Sequence, residues 1–243
     1  MENKYLKQTL IAPSMSDGLG FLSHQSTFAL FMDMAMEHAM KLGIGLDYTM
    51  PRGMYWITVR TRVNFIRRPH LSDIVESATW PEKPSMLRTN RYYPLTDGEG
   101  VCVEGKTEWA IINMQTGRPE KLDKIFAPDF EFCNDVVCEE PFMRICEDFS
   151  DGEFVGEIHV GSGDIDMGHH MNNVMYIREV LNLFSLKELE KMNIREIEVC
   201  YRSSCFEHDV LKVWRRDVED GAEFGVFRGE GAVAVLLHMK YDK

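Results

Sequence analysis

The 243-residue sequence sets 27 Lys and Arg against 39 Asp and Glu, a formal charge of −12. That balance repels phosphate and argues against sequence-independent electrostatic binding of nucleic acid. With 44% hydrophobic and 11% aromatic residues, disorder is excluded for most of the chain. The length allows one large domain or two of roughly 100–150 residues.

The six cysteines, Cys102, Cys133, Cys138, Cys146, Cys200 and Cys205, form no Cys-x-x-Cys pair and no zinc-ligand spacing. No apolar run follows the lysines of the amino terminus, so no secretory signal is expected. The most apolar stretch, Phe28 to Leu42, is interrupted by Asp33, Glu37, His38 and Lys41 and is too short to span a bilayer. The expectation is a reduced, cytoplasmic protein.

In chain order, Lys7 to Ala12 predicts a short strand, and Pro13 to Gly20 is rich in turn residues. Ser23 to Leu42 predicts a helix with Ser23 or Ser26 as cap and Gly43 as stop. Its apolar residues cover nearly the whole circumference, so it is expected to be enclosed. Strand-like segments follow at Met54–Ile66, Ile74–Thr79, Arg88–Leu95 and Cys102–Asn113, with a hairpin signal at Asp97-Gly98-Glu99-Gly100. The second half repeats the order. Phe154–Val160 predicts a strand and Asn172–Phe184 a helix. Strands are then expected at Ile197–Tyr201, Val210–Val218, Glu223–Arg228 and Ala232–Tyr241. Matching His24 with His170 and Asp73 with Asp209 aligns the halves.

This order resembles the hotdog architecture, a helix enclosed by an antiparallel sheet. The expected fold class is α+β, with two tandem hotdog domains forming an internal pseudo-dimer. Residues 1–126 would form the first domain and 153–243 the second, with 127–152 an acidic linker that packs across the surface. Joining the two sheets edge to edge would cover edges otherwise open to aggregation.

The segment richest in chemistry is Gly161 to Tyr176, where Asp164, Asp166, His169, His170, Asn172 and Asn173 surround the start of the second helix. A helix amino end offers unpaired N–H groups and a partial positive charge, suited to polarising a carbonyl oxygen. A nearby carboxylate can activate water or attack directly, and an imidazole can orient a proton or a substrate. The plainer reading makes Asp164 and Asp166 turn residues and Asn172 and Asn173 helix caps. A metal site built on Asp166, His169 and His170 is disfavoured, because adjacent histidines point in different directions on most backbones.

Asp164-Ile165-Asp166-Met167-Gly168-His169-His170-Met171-Asn172-Asn173-Val174-Met175-Tyr176 resembles the signature of the acyl-acyl carrier protein (acyl-ACP) thioesterases, Asp-x-Asp-x-Asn-x-His-Val-Asn-Asn-x-x-Tyr. Further segments fit the same family in the right order: Ala35-x-x-His38-Ala39-x-x-Leu42-Gly43, Arg68-Pro69-x-x-x-Asp73 with Thr79-Trp80-Pro81, Trp109 to Asn113 with Thr116 to Pro119, and Ile197 to Tyr201 reaching Cys205 and Asp209. The resemblance implies hydrolysis of fatty acyl thioesters, releasing free acid and ending chain elongation. It carries the catalytic roles to Asp166 and His170. Two positions depart: the family's Asn is Gly168, and its Glu before the Cys is Ser204.

The mechanism expected on that basis points the thioester carbonyl at the N–H groups of Met171, Asn172 and Asn173. Asp166 acts as base or nucleophile and His170 orients. Ser204 and Cys205 are secondary candidates, and a Cys205–His170 dyad is disfavoured because Cys is often a small buried hydrophobe. The first half would supply acyl-tunnel residues, with Phe28, Met32, Met36 and Met40 as candidates. Arg60, Arg62, Arg67 and Arg68, with Arg88 and Arg91, form the densest basic positions and are candidates for docking an acidic carrier protein, the plainer alternative being a solvated strand face. Coenzyme A thioesters are the other substrate form. No cofactor and no metal are implied, since hydrolysis needs only water. The fused domains can act alone or dimerise again. The competing functions are an acyl-thioester binder without turnover and a hotdog enoyl-thioester hydratase or dehydratase.

Overall fold

The computed structural model describes residues 4–229 and 231–242, which divide into two compact units, 1–140 and 141–243. In the first unit β1 (Tyr5–Leu10) leads through a short 3-10 turn at Pro13–Met15 into α1 (His24–Lys41). A short helix α2 (Leu46–Thr49) precedes β2 (Met54–Phe65), β3 (Ile74–Pro81), β4 (Thr89–Asp97) and β5 (Gly100–Asn113). The sheet order is β1-β3-β4-β5-β2, every pair antiparallel.

α1 begins where expected because the Ser23 hydroxyl accepts the Ser26 N–H at 3.0 Å. It ends at Leu42, after which Gly43 takes φ +69°. The helix lays one stripe on the sheet: Thr27, Phe28, Phe31, Met34, Ala35 and His38 are buried. Phe31 stacks on Tyr93 with centroids 4.6 Å apart and fills the space left by Gly105, where an added Cβ would lie 2.3 Å from the Phe31 ring. Phe31→Ala should cost about 3–5 kcal/mol of stability. The enclosure is less complete than the sequence suggests. Met36 and Met40 are 46% and 51% exposed, whereas Phe28 is buried and Met32 is partly so.

The second unit repeats this plan. β6 (Glu153–His159) leads through a 3-10 turn at Ser162–Asp164 into α3 (Asn173–Leu181). Then come α4 (Leu186–Met192), β7 (Ile194–Tyr201), β8 (Val210–Val218), β9 (Gly221–Arg228) and β10 (Ala232–Tyr241). Its order, β6-β8-β9-β10-β7, is that of the first unit with each strand replaced by its counterpart. Each unit is thus a hotdog. The second helix, expected to reach Phe184, stops at Leu181, and an unexpected α4 follows, started by a reciprocal capping box of Ser185 with Glu188.

Parts of the acidic 127–152 stretch pack within each unit. Residues 133–137 lie on the outer face of the first sheet, where the Trp80 indole N–H donates to the Asp135 carbonyl at 2.8 Å and Cys133 packs with Trp80 and Tyr92. Ile145 and Phe149 pack with Cys200 and Leu236 in the second unit. No helix among the described residues is long and apolar enough to cross a membrane.

Candidate active site

The loop from Ile165 to Met171 closes on itself ahead of α3. The Asp166 N–H donates to the His170 carbonyl at 2.9 Å, and the His169 N–H to the Asp166 carbonyl at 3.0 Å. The Gly168 N–H donates to Asp166 Oδ1 at 2.8 Å, an Asx turn that fixes the carboxylate. His169 sits at φ +59°, the left-handed region. The loop is tied outward at two further points: Met171 N–H donates to the Cys205 carbonyl at 2.8 Å and Asn172 N–H to the Asp164 carbonyl at 2.8 Å. Asn172 caps α3 by accepting the Val174 N–H at 2.9 Å. Buried Asp164 accepts the Gly161 N–H at 2.8 Å and pairs with Arg178 on α3.

What this leaves open defines the site. Of the three N–H groups expected to receive a carbonyl oxygen, those of Met171 and Asn172 are occupied by backbone carbonyls, because they anchor the loop. Asn173 N–H, at the amino end of α3, has no acceptor among the described residues. The second Asp166 oxygen meets no donor among them, and neither does the exposed His170 ring find a hydrogen-bond partner. A carboxylate oxygen, an imidazole and a helix-end N–H are therefore available along one short stretch of loop.

Cys205 is different. It is fully buried, burial pushes its thiol pKa up, and its partner is the Tyr176 hydroxyl. A neutral, enclosed thiol is a poor nucleophile, so its part here is to offer the backbone carbonyl that anchors Met171. Ser204 is exposed, and its carbonyl accepts Arg228 Nη1 at 2.8 Å. Among the described residues no group of three His, Cys, Asp or Glu side chains is placed to hold a metal ion.

The same loop exists in the first unit. Asp17 N–H donates to the Phe21 carbonyl at 2.8 Å, Gly20 N–H to the Asp17 carbonyl at 3.0 Å, and Leu19 N–H to Asp17 Oδ1 at 3.0 Å. Leu22 N–H donates to the Pro69 carbonyl at 2.8 Å and Ser23 N–H to the Met15 carbonyl at 2.9 Å. Bond for bond, Asp17 matches Asp166, 149 positions apart (166 − 17), and Phe21 matches His170. This corrects the match of His24 with His170: by backbone, His24 corresponds to Asn173. The match of Asp73 with Asp209 stands, since each accepts the N–H three residues before it, His70 at 2.7 Å and Phe206 at 2.8 Å. Arg68 therefore corresponds to Ser204. Arg68 pairs with the free oxygen of Asp17. Burial pushes the Asp17 carboxyl up, but Arg68 and the N–H groups of Phe21 and Leu19 outweigh it and hold the carboxyl below its ordinary range.

The basic positions expected to dock a carrier are turned inward or neutralised. Arg62 is 1% exposed, and its guanidinium donates to the Glu140 carbonyl at 3.2 Å. Arg67 forms a bidentate pair with Asp97 at 2.7 and 3.1 Å. Arg68 is held by Asp17, and Arg60 lies 3.9 Å from Glu108. Arg88 lies 3.8 Å from the same Glu108, and Arg91 is buried with a guanidinium N–H to His38 at 2.9 Å. Sequence reasoning did not single out Arg178, Phe206 or Arg228, which the fold brings to the loop. Tyr201, quoted only for its place in a family segment, donates its hydroxyl to the Asn173 carbonyl at 3.2 Å.

A duplicated hotdog with an open carboxylate in one loop defines the class. Models of the acyl-ACP thioesterase N-terminal and C-terminal domains match residues 2–128 and 149–240. The chain belongs to the acyl-ACP thioesterase family. It is 25% identical over 228 residues to the oleoyl-acyl carrier protein thioesterase 2 of Arabidopsis thaliana, covering 84% of this chain and 61% of that protein. It is 21% identical over 232 residues to the acyl-[acyl-carrier-protein] hydrolase FATB3 of Cuphea viscosissima, covering 84% and 56%. The chain thus spans about three fifths of the length of these curated relatives. Among solved structures, an acyl-ACP thioesterase from Bacteroides thetaiotaomicron superposes with a TM-score of 0.89 at 21% identity over 99% of this chain and 98% of that one. The 12:0-ACP thioesterase from Umbellularia californica gives 0.84 at 18% identity over 100% and 98%.

Proposed function

We propose that this protein hydrolyses fatty acyl thioesters, with acyl-ACP as substrate and free fatty acid as product. The observation that carries the reading is the open oxygen of Asp166, held by the Gly168 N–H on its other oxygen and lying in the same short loop as His170 and the unoccupied N–H of Asn173. The thioester carbonyl oxygen accepts the Asn173 N–H, where the end of α3 favours developing negative charge. Asp166 takes a proton from an attacking water, or attacks the carbonyl itself to form an anhydride that water then opens. His170 orients the water or the carbonyl. The carbon–sulfur bond breaks, the thiol leaves with a proton, and the acid is released. A reduced, cytoplasmic setting belongs to the same proposal.

The test is thiol release by the purified chain from acyl-ACP and acyl-coenzyme A thioesters of varied length, beside Asp166→Asn. Removal of the base should lower the rate at least about a hundredfold. Wild-type turnover in that variant would remove Asp166 from the mechanism. A second reading, binding of acyl thioesters without turnover, is favoured by Gly168 and Ser204 standing where the family pattern has Asn and Glu. It is chosen if the wild-type chain binds these thioesters and releases no thiol.

A further inference from the structure

We propose that Phe206 is a positioning residue for His170, a role that rests on the hydrolytic reading above. His170 is exposed and makes no hydrogen bond among the described residues; its ring contact is with Phe206, at 5.3 Å between centroids and a 55° tilt. An exposed imidazole without a hydrogen bond samples several rotamers, whereas catalysis needs a ring held within roughly 0.5 Å of its working place. Packing against Phe206 supplies that restraint.

Phe206 is itself fixed. Its N–H donates to Asp209 Oδ2 at 2.8 Å, and its carbonyl accepts the Asp209 N–H at 3.1 Å. The Arg228 guanidinium lies 5.4 Å from the Phe206 centroid and is held by the Ser204 carbonyl at 2.8 Å. Phe206 nevertheless stays 44% exposed, so core packing does not explain it. The first unit supports the assignment. There the matching pair is Phe21 on the loop and His70 on the turn, 5.1 Å apart. The second unit keeps the aromatic pair and exchanges its members, which puts the imidazole on the loop that carries the open carboxylate.

The test uses the full chain with Phe206→Leu and Phe206→Tyr. Acyl-ACP hydrolysis is measured at varied substrate concentration, and the His170 ring protons are followed by NMR after assignment with His170→Gln. Phe206→Leu should lower kcat about tenfold, as a loosened catalytic group does, and leave KM within about twofold. The His170 resonances should lose the ring-current shift. Phe206→Tyr should restore both rate and shift. Unchanged His170 resonances in Phe206→Leu would overturn the proposal, as would an undiminished kcat. A wild-type chain that releases no thiol would instead overturn the hydrolytic reading, and the positioning role with it.

Discussion

The loops at 16–23 and 165–172 share one backbone and carry different side chains. In both, an aspartate caps its own turn, a carbonyl from the turn before β3 or β8 anchors the residue ahead of the helix cap, and a Ser or Asn starts the helix. In the first, Arg68 occupies the second oxygen of Asp17, and Phe21 stands where an imidazole would be needed. In the second, Ser204 replaces the arginine, His170 replaces the phenylalanine, and the carboxylate is left open. The fold supplies the cradle twice. On the proposed reading, two side-chain exchanges decide which copy does chemistry.

That contrast can be broken by substitution. The largest effect is the loss at Asp166 itself, at least about a hundredfold. Next is Ser204→Arg, which places a cation where Arg68 stands. An adjacent opposite charge lowers a carboxyl pKa by roughly 1–3 units and weakens it as a base. Steady-state kinetics should show kcat/KM falling about tenfold or more, with Ser204→Gln near wild type. An active Ser204→Arg protein would mean that the two cradles do not correspond as described.

The converse change acts on stability. Arg68→Met leaves the Asp17 carboxylate without its partner and should cost about 1–3 kcal/mol in denaturant unfolding, with little change in kcat. The Asp17 carboxyl titrates lower in the folded chain than in the unfolded one. Its stabilisation is therefore complete above about pH 4 and fades as the pH falls through the lower folded value. Asp17→Asn should flatten the acid limb of the stability–pH curve. An unaltered limb would show that the fold does not favour the ionised form of Asp17. The smallest effect is expected at His169, which takes the left-handed backbone that Gly20 takes in the first unit. His169→Gly should raise stability by up to about 1 kcal/mol in the same measurement, and a loss would point to a side-chain role for His169.

Much of this was legible in the sequence. Strand-like segments fell on each of the ten strands among the described residues, Ser23 and Asn172 fell at the helix starts, and the Asp166–His170 loop stood out by its density of acids, imidazoles and amides. Other features were hidden for physical reasons. Matching His24 with His170 followed residue identity, whereas the duplication is kept in backbone hydrogen bonds that place Phe21 there. The arginines read as a basic cluster because strand spacing does not reveal the carboxylates opposite them, Asp97 and Glu108 on neighbouring strands and Asp17 on a distant loop. Phe206 reaches His170, and Arg228 reaches Phe206, only through tertiary folding. The Ser185–Glu188 capping box was a readable local signal that went unread, since the expected helix ended at Phe184.

The central claim is that one of two equivalent aspartates does the chemistry. Its most direct test is single-turnover thiol release from acyl-ACP by Asp166→Asn and Asp17→Asn side by side, at a temperature where both are folded. The account predicts a loss of at least about a hundredfold for the first and a rate within about threefold of wild type for the second. Equal losses, or a wild-type rate in Asp166→Asn, would contradict it.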